Sequence, residues 1–114
     1  TGKLFSFCCA VPLIIKNKSR NEIRRFENIG SEIGLLFQVA DDLIDFKGSL
    51  LSAGKKTGKD KKKGKATLIS LLGYKNTIKY ANNLILKINN KLRKYGSKSK
   101  QLSETLDYIL KRQK

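Results

Sequence analysis

Apolar residues recur along this chain at intervals of three and four, which is the spacing of one face of an α-helix. One such stripe consists of Ile23, Phe26, Gly30, Ile33, Phe37, Ala40 and Ile44. A second stripe consists of Ile78, Ala81, Ile85, Ile88, Leu92 and Tyr95. No segment shows the strict alternation of apolar and polar residues that marks a half-buried strand. The pattern therefore predicts an all-α fold.

Local signals divide the first half of the pattern into two helices. Residues 4–15 are apolar on nearly all sides, as in a helix buried within a bundle, and Pro12 predicts a kink there. Ser19 followed by Glu22 has the spacing of a capping box and predicts the start of the second helix. Gly48 predicts the end of that helix. Two of its glycines fall on the packed side, where they permit close approach of a neighbouring helix: Gly30 and Gly34.

The second half begins with residues 48–65, which lack helical periodicity and are predicted to form a loop. Thr67 is predicted to open a short helix that continues through Leu72. The second apolar stripe then predicts a long amphipathic helix that stops at Gly96. A last helix is predicted from its apolar residues, Leu102, Leu106, Ile109 and Leu110.

Three acidic residues, of only nine in the chain, fall within about one helical turn: Asp41, Asp42 and Asp45. Asp45 lies four residues after Asp41 and three after Asp42, so the carboxylates share one side of the helix. Two carboxylates about 6 Å apart repel each other by about 3 kcal/mol at an effective dielectric constant of about 20. A solvated surface remains an alternative, but the cluster favours a site for a divalent cation. Mg²⁺ binds through one or two carboxylates and the oxygens of a substrate phosphate.

A lysine-rich segment punctuated by glycines follows the acids. Its basic residues are Lys47, Lys55, Lys56, Lys59, Lys61, Lys62, Lys63 and Lys65. Such a segment can close over a diphosphate that a carboxylate-bound metal holds, although a plain solvated lysine run is the alternative. The two features together favour a metal–diphosphate site more strongly than either does alone.

The net charge of +16 and the isoelectric point near 10.1 would ordinarily suggest a nucleic-acid partner. However, lysine outnumbers arginine by 20 to 5, and arginine is the usual specific contact with bases. We therefore expect no nucleic-acid partner.

Two adjacent cysteines, Cys8 and Cys9, are the only ones, and the chain has no histidine, so no zinc site is expected. We expect both to be buried, reduced thiols of a cytoplasmic protein. Residues 4–15 are too short to span a membrane, because a spanning helix needs about 18 apolar residues or more.

The acidic and lysine-rich segments resemble a known family. Residues 37–45, followed by Gly-Lys at 54–55, Gly-Lys-Asp at 58–60 and Gly-Lys-Ala-Thr at 64–67, are similar to the second aspartate-rich region of the trans-polyprenyl diphosphate synthases, above all the bacterial farnesyl diphosphate synthases. Residues 1–4 resemble the family's Lys-Thr-Gly motif without its lysine. Residues 108–114 resemble its basic C-terminus.

The resemblance implies a larger helical protein in which metal lies between two facing aspartate-rich helices, of which this chain has the second. Residues 1–114 would be the C-terminal part of a single all-α domain, an isoprenoid-synthase-type bundle, with a Lys/Gly-rich active-site loop at 48–65. The absence of methionine agrees with a missing start. The 114 residues alone are expected to be inactive.

The resemblance also implies an activity: Mg²⁺-dependent condensation of an allylic diphosphate with isopentenyl diphosphate to farnesyl or geranylgeranyl diphosphate, by a homodimer at full length. The implied metal ligands are Asp41, Asp42 and Asp45. The implied catalytic residues are Thr1, beside the allylic diphosphate, and Lys55, which holds it. The remaining implied substrate-binding residues are Phe37, Gln38, Lys65 and Arg112.

The chain departs from the family pattern at positions that are not implied metal ligands, and two alternatives to the activity stay open. Ser49 stands where many members have an aspartate, and Leu68 and Ile69 replace a common Tyr-Pro pair. One alternative is a synthase-like subunit without catalysis. The other is a basic helical module that binds nucleic acid or an anionic membrane through the lysine-rich loop.

Overall fold

The architecture is all-helical, in a computed structural model that describes residues 1–53 and 67–112. The described residues form α1 (Gly2–Ile15), α2 (Arg20–Ala53), α3 (Leu68–Leu72), α4 (Tyr74–Leu92) and α5 (Lys100–Lys111), with 3₁₀ turns at Arg93–Ser99. They contain no strand, which confirms the predicted fold class. The assembly of helices is elongated, measuring 55 × 24 × 22 Å.

The junction between α1 and α2 follows local sequence signals. Asn17 closes α1 in the left-handed conformation, at φ 55°, and its N–H donates to the carbonyl of Ile14 at 3.0 Å. Ser19 Oγ then accepts a hydrogen bond from the N–H of Glu22 at 3.2 Å. This bond is half of the predicted capping box and begins α2 at the expected place.

The predicted end of α2 at Gly48 is wrong, because the helix continues to Ala53. A single glycine costs a helix only about 1 kcal/mol relative to alanine, and the leucines that follow favour a helix. The predicted loop at 48–65 is therefore wrong for residues 48–53, and residues 54–65 lie outside the described part. Asp45 lies about two turns before the end of the helix, so repulsion by the terminal macrodipole does not apply to it.

The two glycines on the packed side of α2 allow α1 to cross closely, as predicted. A Cβ atom added to Gly30 would lie 2.5 Å from the carbonyl oxygen of Phe5. One added to Gly34 would lie 2.9 Å from the Cα of Gly2. Because the contacts run in opposite order along the two helices, α1 is antiparallel to α2.

The core lies where α2 packs against α4 and α5. Its fully buried large side chains include Ile29, Leu36, Ile88, Leu92 and Leu106. α4 carries the predicted apolar stripe, and regular helix gives way to 3₁₀ turns after Leu92, ahead of the predicted stop at Gly96, which has φ 59°. Polar contacts join the same helices, since the Glu32 carboxylate lies 3.0 Å from Lys91 Nζ and 3.2 Å from Lys87 Nζ.

The short and final helices occupy the predicted positions. Thr67 and Ser70 form a reciprocal capping box at the start of α3, with both hydrogen bonds at 3.2 Å. The last helix buries Leu106 and Ile109. It thereby brings the C-terminal end of α5 against the middle of α2.

The cysteines on α1 are both free, but they differ in exposure. Cys9 is half-buried, and burial raises the pKa of its thiol, with a smaller contribution from Cys8. Cys8 is exposed, so the prediction that both would be buried is wrong. Neighbouring helical residues point about 100° apart, which places the two thiols in different surroundings. Across the described residues, no helix combines the length and apolar character that crossing a membrane requires.

Candidate active site at the acidic turn of α2

The acidic turn, which we define as Asp41–Asp45 of α2, interleaves carboxylates with core residues. Ala40 and Leu43 are buried, whereas Asp41 and Asp42 are partly exposed and Asp45 is exposed. This arrangement follows from the helical period, which turns Leu43 into the core and leaves the acids at its edges. Core packing therefore fixes the backbone from which the carboxylates project.

Asp41 contacts a cation from the far end of the chain. Arg112 Nη2 donates to Asp41 Oδ1 at 2.7 Å, and the same nitrogen lies 3.5 Å from the carbonyl oxygen of Phe37. Arg112 Nε donates to the carbonyl of Ile109 at 3.1 Å. The side chain of Arg112 is only 13% exposed, against 40% for Asp41. One oxygen of Asp41, a predicted metal ligand, is thus already engaged in a hydrogen bond.

One aromatic ring packs against the Arg112 guanidinium, and a second ring packs against the first. Its Cζ atom lies 4.4 Å from the centroid of the Phe37 ring, within the range of a cation–π contact. The Phe37 ring lies 5.5 Å from that of Phe5 on α1. The structure therefore brings together three predicted site residues, Phe37, Asp41 and Arg112. It adds Phe5, which the sequence analysis assigned only to an apolar helix.

The other side of the acidic turn faces a cavity of about 330 Å³. The cavity is lined by Asp42, Asp45, Phe46, Ser49, Thr67, Ile69 and Ser70. Its apolar wall includes Phe46, whose ring stacks on that of Tyr74 with centroids 5.2 Å apart. Ser49 and Ile69, two of the departures from the family pattern, both line this cavity.

Sequence reasoning missed Phe46, Thr67 and Ser70 as lining residues of this cavity. Thr67 was identified only as a helix cap, and its Oγ1 does accept the N–H of Ser70. Sequence position could have identified Thr67 and Ser70 as candidate site residues, because they directly follow the lysine-rich segment that was assigned to the site. Phe46 directly follows Asp45. Its position alone did not distinguish a residue of the cavity wall from an ordinary core residue.

The remaining predicted site residues are less well connected to the acids. Thr1 and Gln38 are exposed, and the Thr1 side chain makes no capping hydrogen bond to α1. Lys55 and Lys65 lie outside the described residues. Their assigned roles, like those of the three aspartates, stay predictions.

The donor atoms at the acidic turn suit a hard cation. The charged groups are carboxylates and the neutral ones around the cavity are hydroxyls, which are the oxygen donors that Mg²⁺ takes. Within residues 1–53 and 67–112, no three His, Cys, Asp or Glu side chains converge on one metal position. Mg²⁺ in proteins generally binds through one or two carboxylates and completes its shell with phosphate oxygens and water.

Comparison with known proteins identifies the family. The sequence model of the family described as polyprenyl synthetase matches residues 1–109. The chain is 31% identical over 114 residues to farnesyl diphosphate synthase of Micrococcus luteus, covering 100% of the chain and 39% of that protein. It is 35% identical over 114 residues to the mitochondrial geranylgeranyl pyrophosphate synthase 6 of Arabidopsis thaliana, covering 99% of the chain and 34% of that protein.

The fold agrees with these matches. The apo crystal structure of an FPP/GFPP synthase from Zymomonas mobilis superimposes with a TM-score of 0.77 at 33% identity, covering 96% of this chain and 34% of that one. The chain therefore spans between a third and two-fifths of the length of these relatives. On the sequence match and the shared fold together, the chain belongs to the polyprenyl synthetase family.

Proposed function

We propose that this protein, at its natural length, is a Mg²⁺-dependent short-chain prenyltransferase. It would condense an allylic diphosphate with isopentenyl diphosphate to give farnesyl or geranylgeranyl diphosphate. Family membership supports this activity, since relatives carry the names farnesyl diphosphate synthase and geranylgeranyl pyrophosphate synthase. The observation that carries the proposal is the acidic turn, with Arg112 against Asp41 on one side and a cavity lined by Asp42 and Asp45 on the other.

The proposed reaction breaks the bond between the allylic carbon and the diphosphate oxygen. The double bond of isopentenyl diphosphate then attacks the allylic cation, and loss of a proton restores a double bond. Mg²⁺, when bound, supplies positive charge that offsets the charge of the departing diphosphate. Asp41 would be the principal ligand that holds it, with Asp42 and Asp45 binding directly or through water, and Lys55 would hold the diphosphate as a point charge.

Other residues of the chain would position the substrates and exclude water. The ring of Phe37 lies between Phe5 and Arg112 and would wall the site against solvent. Thr1 and Gln38 would contact the allylic substrate, and Lys65 the diphosphate. A homodimeric, cytoplasmic enzyme remains our expectation for the protein at its natural length.

A direct assay tests the proposal. The natural-length protein is incubated with isopentenyl diphosphate and dimethylallyl or geranyl diphosphate, and products are identified by mass spectrometry. We expect a prenyl diphosphate that is lost on addition of EDTA and restored by Mg²⁺. Absence of product from a folded protein would contradict the proposal and favour the subunit without catalysis. Mg²⁺-independent, salt-sensitive binding to RNA or anionic vesicles in place of activity would favour the basic module.

The 114 residues by themselves should not catalyse the transfer. α1 exposes large apolar side chains, with Leu4 65%, Phe7 63% and Ile15 72% exposed. A helix that leaves these groups in water needs a further packing partner, so the isolated chain should associate or stay partly molten. Size-exclusion chromatography and dye binding would detect this state, and prenyl transfer by the isolated chain would contradict the expectation.

A further inference from the structure

Arg112 is held more tightly than a surface arginine at the end of a helix. Its guanidinium donates to Asp41 at 2.7 Å and to the carbonyl of Ile109 at 3.1 Å, and it lies 4.4 Å from the Phe37 ring centroid. Only 13% of the side chain is exposed. These contacts tie the last turn of α5 to the acidic turn of α2.

We propose that Arg112 occupies the place of a metal cation at Asp41. Metal binding would displace Arg112 and so release the C-terminal end of α5. This inference rests on the proposed function, because it takes Asp41 as a metal ligand. Arg112 places a positive charge on Asp41 Oδ1. A divalent ion on the same carboxylate would face the guanidinium at close range, in a site that is largely shielded from water on the Arg112 side.

Competition for one carboxylate oxygen gives the coupling its direction. Arg112 occupies Asp41 Oδ1, and a cation bound at that oxygen would both displace this hydrogen bond and repel the guanidinium at close range. The cavity is lined by Asp42 and Asp45, and its lining among the described residues includes neither Asp41 nor Arg112. Metal at Asp41 therefore weakens the hold on Arg112. By linkage, Arg112 weakens metal binding by the same factor.

The released segment is short. Leu106 and Ile109 are buried in the core, so most of α5 stays in place when Arg112 leaves Asp41. The groups that lose their anchor are those of the last turn, where the N–H of Arg112 donates to the carbonyl of Tyr108 at 2.9 Å. Metal loading should thus fray this turn and leave the rest of the helix unchanged.

The test uses the natural-length protein and Mn²⁺ alone as the probe, with free Mn²⁺ measured by electron paramagnetic resonance. Arg112→Gln should bind Mn²⁺ about three- to tenfold more tightly than the wild type, the range expected between exposed and buried charge pairs. Arg112→Lys keeps the charge and should fall between the two. Lys111→Gln removes a neighbouring exposed cation and should change affinity by less than about twofold.

Hydrogen exchange on the wild type gives an independent readout that needs no variant. Adding Mn²⁺ should increase exchange at amides 110–112, whereas in Arg112→Gln exchange there should be fast with or without the ion. Unchanged or weaker Mn²⁺ binding by Arg112→Gln, or slower exchange at these amides on metal binding, would overturn the inference alone. Equal Mn²⁺ affinity of the wild type and Asp41→Asn would overturn both the inference and the metal assignment.

Discussion

The two sides of the acidic turn present the same residue type in different surroundings. On one side Asp41 contacts Arg112, which is backed by the rings of Phe37 and Phe5. On the other side Asp42 and Asp45 line a cavity with hydroxyl groups from Ser49 and the start of α3. A cation that approaches the first side has to displace a resident positive charge. On the second side it meets oxygen ligands around a space of about 330 Å³.

The difference assigns separate roles to aspartates that the sequence motif does not distinguish. The Arg112 side joins metal binding to the end of α5, while the cavity side includes Ser49 on α2 and Thr67 at the start of α3. We infer that Asp41 sets the response of the protein to metal, and that Asp42 and Asp45 bind the same ion, directly or through water, beside the cavity in which diphosphate would bind. Variants on the two sides should therefore differ in size and kind of effect.

The largest expected effect is that of Asp41→Ala on prenyl transfer. Removing this ligand leaves leaving-group charge uncompensated, so kcat should fall by about a thousandfold. Asp45→Ala should cost less, and Asp107→Ala, an exposed acid on α5, should have almost no effect. Steady-state kinetics of the natural-length protein would measure all three. Retention of activity by Asp41→Ala within about tenfold of wild type would contradict its assignment as a metal ligand.

A smaller effect should separate Lys55 from the other lysines of its segment. A charge-assisted hydrogen bond to diphosphate in a dry site is worth about 1.5–3 kcal/mol, so Lys55→Ala should lose about ten- to a hundredfold in kcat/KM for the allylic substrate. Lys61→Ala and Lys62→Ala should change it less than about threefold. Similar losses at all three positions, reduced by salt, would indicate a diffuse positive loop and would favour the anionic-polymer alternative.

The smallest effects concern the scaffold behind the Arg112 side. Gly30→Ala puts a methyl group 2.5 Å from the Phe5 carbonyl and should lower the free energy of unfolding by about 1–3 kcal/mol. A Cβ atom added at Gly48 would have no described atom within 4 Å apart from its chain neighbours and the backbone of its own helix. Gly48→Ala should therefore raise the free energy of unfolding by about 0.5–1 kcal/mol, because residue 48 is inside a helix. Denaturant unfolding measures both. Stabilisation by Gly30→Ala would contradict the close crossing of α1 over α2.

Much of the fold follows from periodicity and local signals. The apolar spacing predicted α2 and α4, the Ser19 cap placed the start of α2, and Thr67 placed the start of α3, because each of these signals acts within a few residues. Gly48 is also a local signal, and it wrongly predicted the end of α2. A glycine favours a helix end only weakly, and neighbouring residues decided the outcome.

The site was predictable only in part. The three aspartates stand close together in sequence, so their shared turn could be anticipated from the helical period. The contact between Asp41 and Arg112 joins residues 71 positions apart, and it depends on how α5 packs on α2. Composition and spacing carry no information about that packing. Only the tertiary structure therefore shows that Asp41 contacts Arg112 whereas Asp42 and Asp45 line the cavity.

The most direct test is a crystal structure of the natural-length protein with Mn²⁺ and inorganic diphosphate, located by anomalous scattering. The account predicts a Mn²⁺ peak within about 2.2 Å of an Asp41 carboxylate oxygen, diphosphate oxygens on the same ion, and Arg112 moved away from Asp41. A Mn²⁺–diphosphate complex bound elsewhere, with Arg112 Nη2 still 2.7 Å from Asp41 Oδ1, would contradict it.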